Sequence, residues 1–177
     1  MEHYLREVMT AAFSREQRCA LADHQADQDR TVEAIHQVTA ALDAAASGRT
    51  PVWCRNVADA LEVLDHAVTA EAAAHLEADS LFSDIARTQP RLRNRVRGLR
   101  VEYGRLSRQI HRALDVLTSD PDVGVAETRL HVGDLVRSLQ LLRGRESDLI
   151  YEAYFDAFNR DVEEELAGTP ERLGNSS

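Results

Sequence analysis

Four segments, each roughly 30 residues and so about 45 Å long as helices, repeat apolar side chains at a 3.6-residue spacing, and only short turns separate them. That pattern leaves little choice of fold. Nowhere does a period of two appear, so no sheet is expected. Short connections make successive helices antiparallel neighbours. The predicted fold class is all-α: an up-down-up-down four-helix bundle, preceded by a short N-terminal helix.

The boundaries follow from local chemistry. Ser14-Arg15-Glu16-Gln17 reads as a capping box that starts helix one. Ser47-Gly48 stops that helix after about Ala46. Thr50-Pro51 opens helix two with proline at the first helical position, and the periodicity predicts one continuous helix to about Ala86. Gln89-Pro90 opens helix three, which runs to about Leu117, and Ser119-Asp120-Pro121 makes the next turn. Helix four is predicted from about Asp122 to about Asn159, with a bend near Gly144. Residues 1–14 read as an N-terminal capping segment, 15–166 as the bundle and 167–177 as a disordered tail.

Composition excludes several functions. With 21 basic against 30 acidic residues and a net charge of -9, the chain lacks the basic face that nucleic acid requires. It is equally unsuited to an anionic membrane surface, and no stretch has the length of a membrane span. Two cysteines, near the starts of helices one and two, fall at opposite ends of an antiparallel pair and predict no disulfide. No N-terminal apolar signal is present, so a cytoplasmic location is expected.

The informative residues are polar ones on apolar stripes. His24 lies on the stripe of helix one, His75 and Asp79 on helix two, Tyr103 on helix three and Glu146 on helix four. In an up-down bundle all five fall at one height. Buried polar groups are costly unless paired, so this layer calls for a metal ion or a closed hydrogen-bond network that adds Gln28 and Arg145. Two imidazoles and two carboxylates suit Fe(II), Mn(II) or Zn(II), with His24, His75, Asp79 and Glu146 as ligands and Tyr103 beside them. His36, His66, His111 and His131 do not join the layer, although His131 is read as facing inward. Tyr151, Tyr154, Phe155 and Phe158 recur at helical spacing and read as a packing face or a homodimer surface. Glycine-rich phosphate loops, nucleophile elbows and Cys-x-x-Cys pairs are absent from the sequence.

The same residues resemble the hemerythrin-like (HHE cation-binding) domains. LADHQADQD supplies His24; HLEADSLFSDI supplies His75 and Asp79. PRLRNRVRGLRVEYGRL is similar to the family's helix-three segment, with Glu102-Tyr103 where Glu-His would stand. LLRGRESDLIYEAYFDAF is similar to its closing segment, with Leu142 and Glu146 at the His and Glu positions. The resemblance implies a four-helix bundle with a non-haem iron site. It also implies that Tyr103 and Leu142 have replaced the histidines of one iron, leaving an altered, mononuclear site for small-ligand or oxygen sensing or redox chemistry. Two alternatives stay open at this stage: a metal-free bundle that binds a partner or regulates one, and an oxygen-using enzyme acting on a small metabolite.

Overall fold

The computed structural model describes residues 14–46, 50–119 and 124–167, with side chains as far as Tyr154. The predicted N-terminal helix, the Ser47-Gly48 stop, Asp120 and Pro121 of the predicted turn, the tail after Ala167 and the side chains of Phe155 and Phe158 lie outside the described residues. Among the described residues the chain is all-helical, without a strand, and no helix is long and apolar enough to cross a membrane.

Helix α1 spans Arg15–Asp43. The Ser14 side chain accepts from the Gln17 amide, and the Gln17 side chain accepts from the Ser14 amide, both at 3.1 Å. This reciprocal pair satisfies two amides that a helix start otherwise leaves open. At the other end, Arg129 donates to the carbonyls of Leu42 and Ala44, each at 2.8 Å, which answers acceptors with no partner inside the helix. The same guanidinium lies over the buried Trp53 ring, 5.4 Å from its centroid.

Helix α2 spans Thr50–Ala74. The predicted continuation to Ala86 does not occur. A turn occupies residues 75–80, and a separate helix α3 spans Leu81–Thr88. Ser80 explains the break. Its hydroxyl accepts from the Ser83 amide at 3.2 Å and lies 2.8 Å from the Glu77 carbonyl and 3.2 Å from that of His75. Such local side-chain bonds compete with the helical ladder and cap the next helix instead. Arg100 also donates to the His75 carbonyl, fixing the chain where it leaves α2.

A 3₁₀ turn over Pro90–Leu92 leads into α4, Arg93–Ser119. Helix α5 spans Val125–Ala167. It runs through Gly144 without interruption and continues past the predicted end at Asn159. The four long helices pack in a closed cycle, α1 on α2, α2 on α4, α4 on α5 and α5 on α1, while α3 packs on α4 and α1. Their shared interior holds Val38, Leu61, Leu64, Leu106, Ile110 and Leu142, all out of contact with water. One register point differs from expectation: His131 is exposed and Val132 is the buried residue. A shift of one residue turns a helical side chain by about 100°.

Candidate metal centre

His24, His75, Tyr103 and Glu146 come together as the periodicity predicts, and Asp79 does not join them. Because α2 ends at Ala74, Asp79 sits in the turn and is exposed. The carboxylate that accompanies His75 is Glu71, one turn before it on α2 rather than one turn after. Glu71 and Glu146 have no exposed surface; His24 retains 7% and His75 3%.

Helix α1 carries His24, His75 is the first residue of the turn that follows α2, and α5 carries Glu146. Glu146 Oε1 lies 3.3 Å from His75 Nε2 and 3.7 Å from His24 Nε2. One donor atom from each of the three residues falls within 4.8 Å of the other two. His24 Nε2, both nitrogens of His75 and Glu146 Oε1 are buried without a hydrogen-bond partner among the described residues. Buried polar atoms in native proteins are nearly always answered by something. Phe82, at the start of α3, walls the two imidazoles edge-on, 4.4 Å from the His75 centroid and 5.6 Å from that of His24.

The other carboxylate oxygen is held from behind. Tyr103 donates to Glu146 Oε2 at 2.8 Å, and its hydroxyl lies 3.1 Å from Glu71 Oε1. Thr31 donates to Glu71 Oε2 at 2.6 Å, and the Arg143 guanidinium stands 3.8 Å from Glu71 Oε1. Arg145, which the sequence suggested for this network, is on the outside and pairs with Glu102 at 2.8 Å. Gln28 is half-buried on α1, and Tyr103 and Leu142 both occupy the interior. The predicted aromatic face divides: Tyr151 is exposed, while Tyr154 turns inward and donates to Asp84 at 3.3 Å.

Protonation follows the surroundings. Burial holds the His24 imidazole below its ordinary range, more strongly than Glu146 raises it. Burial pushes Glu146 up, but the facing His75, then His24 and the Tyr103 hydroxyl, outweigh it and hold the carboxyl below its usual value. Metal ligation takes neutral imidazole and ionised carboxylate, the directions in which His24 and Glu146 are each displaced. Glu71 goes the other way. Burial, reinforced by the charge of Glu146, raises its carboxyl against the opposing pull of Thr31 and Arg143. Burial likewise keeps the Tyr103 phenol protonated, with Glu146 and Glu71 adding to the effect.

Glu71 therefore has a pH signature. A group with a raised folded-state pKa gives its full stability below its unfolded value and loses it as pH rises. Glu71→Gln keeps the shape without the titration. In chelator-treated protein the variant should gain stability relative to the parent as pH rises through and above the ordinary carboxyl range. Urea unfolding across that range checks this, and a difference that stays constant with pH contradicts it.

A cleft of about 820 Å³ opens between the first half of α1 and the chain from Ala74 to Arg87, and His24 and His75 line it. The centre is thus buried yet reachable from one side. Glu71, Thr31 and Arg143 are the residues that sequence reasoning missed. Glu71 continues the Val57, Leu61, Leu64, Val68 stripe and was legible from that spacing alone. No family model, curated protein or solved structure matches the chain.

Proposed function

We propose that the chain is a hemerythrin-like protein whose α1, α2, α4 and α5 form an antiparallel up-down-up-down four-helix bundle around one non-haem metal ion. His24, His75 and Glu146 are its ligands, iron is the preferred metal over manganese or zinc, and the centre serves small-ligand or oxygen sensing or redox chemistry. One observation carries this reading: donor atoms of two imidazoles and a carboxylate converge within 4.8 Å, buried, and several of them lack a hydrogen-bond partner. Two histidines and one carboxylate with free coordination positions are the donor set typical of mononuclear Fe(II) centres. A metal-free polar core fits less well, because it leaves His24 Nε2 and His75 Nδ1 buried without a hydrogen bond among the described residues.

Support for a single ion comes from the opposite side of Glu146. Tyr103 and Leu142 offer no imidazole there, and the Arg143 guanidinium beside Glu71 already supplies positive charge. The protein's own residues have distinct tasks. Tyr103 holds Glu146 Oε2, which leaves Oε1 turned toward the imidazoles. Thr31 and Arg143 anchor Glu71, and Phe82 fixes the imidazole planes from the side. A bound metal supplies an open position for a small ligand.

Elemental analysis of protein purified anaerobically after iron loading tests the reading. About one metal per chain is expected, with a melting temperature that falls on chelation. Metal-free protein after such loading, with a melting temperature indifferent to chelator, removes the reading.

A further inference from the structure

The cleft beside the centre has a charge pattern that its depth alone does not require. Glu16, Asp23, Glu77 and Asp79 are exposed along it. Asp27 and Asp84 also line it, but Arg30 and Arg87 answer them. Arg15 is the other cation on the lining. At the inner end are His24 and His75, each more than nine-tenths buried, with His24 Nε2 and His75 Nδ1 making no hydrogen bond among the described residues. An acidic rim alone is commonplace on a protein with this net charge. An acidic rim that ends on two buried imidazoles facing one buried carboxylate is a route with a destination.

We propose that this cleft is the loading channel of the centre: its acidic rim draws a hydrated divalent cation inward, and His24 and His75 receive it. This rests on the metal-site reading above and adds the route, the charge of what travels along it and a means of slowing it. Clefts of one charge sign focus the field and raise the local concentration and on-rate of the opposite ion by about 10–10³-fold, an effect that salt screens. The rim carboxylates are not ligands of the final site. They act on the rate of arrival and leave the bound state little changed. Asp79, which the sequence placed on the metal, acquires a role here as part of the rim.

Stopped-flow binding of Co(II) to the full chain, followed by its absorption bands, tests the channel. In the parent the loading rate should fall by about tenfold between low and high ionic strength. Asp23→Asn combined with Asp79→Asn should slow loading several-fold at low salt and leave the final occupancy at about one ion per chain. A second probe needs no substitution. Cys19 is exposed on the cleft wall and Cys54 is buried, so a bulky maleimide marks Cys19 and should also slow loading without lowering occupancy. Unchanged rates in both modified proteins, with full occupancy, overturn the channel and leave the centre intact. Failure of the parent to bind Co(II) at all overturns the centre, and the channel with it.

Discussion

His75→Ala is expected to lower metal affinity by more than about 100-fold, since even residues that merely support a ligand typically contribute 10–100-fold. His75 occupies the point where α2 ends. Its backbone amide still bonds to the Glu71 carbonyl at 3.1 Å, while its ring turns into the interior beside Glu146. Alanine at that position keeps the helix end and removes the donor atom. Metal at about 100 times its dissociation constant stabilises a binding-competent fold by about 2.7 kcal/mol. For a chain of this length that corresponds to a melting-temperature rise of about 5–10 °C. The rise should be present in the parent and absent in His75→Ala. His131→Ala removes an exposed imidazole from the same protein and should keep the full rise. Equal affinity in the parent and His75→Ala would place the metal elsewhere.

Phe82→Ala is the second large effect, and it joins stability to the site. Phe82 is 1% exposed and packs edge-on against His75 and His24. Removing a buried phenyl ring costs about 3–5 kcal/mol through lost burial and the cavity left behind. That is a large part of a total stability of about 5–15 kcal/mol. Thermal unfolding of metal-free protein should therefore show a melting temperature lower by about 6–20 °C. Because the cavity opens against both imidazoles, the variant should also bind metal more weakly than its lost stability alone explains. Leu141→Ala, at an exposed position on α5, should stay within about 0.5 kcal/mol of the parent. A Phe82→Ala protein as stable as Leu141→Ala would mean that α3 does not wall the centre.

The two predictions draw on parts of the molecule that the sequence showed unequally. His24, Tyr103 and Glu146 each stand on a helix whose stripe keeps its 3.6-residue period without a break, so their convergence could be read by counting. The capping box at Ser14 was legible for the same reason: its chemistry is contained in four residues. Asp79 was misplaced because the count was carried forward past His75 as though α2 continued. Ser80 decides otherwise through bonds to backbone groups three to five residues earlier. Arg100 reinforces the turn from a helix that begins well downstream, and sequence spacing gives no access to that contact. Glu71 was overlooked although its position on the stripe was plain. A single acidic residue among apolar neighbours reads as surface until its partners Thr31 and Tyr103 are known. Arg143 and Arg145 differ by two positions, and only packing decides that the first reaches Glu71 and the second Glu102.

The most direct measurement is a crystal structure of the metal-loaded protein with anomalous data collected at the absorption edge of the metal. A single anomalous peak bonded to His24, His75 and Glu146, with Tyr103 still donating to the other Glu146 oxygen, is the result expected. A metal held by other residues, or imidazoles that bond only to Glu146 with no anomalous peak between them, would contradict it.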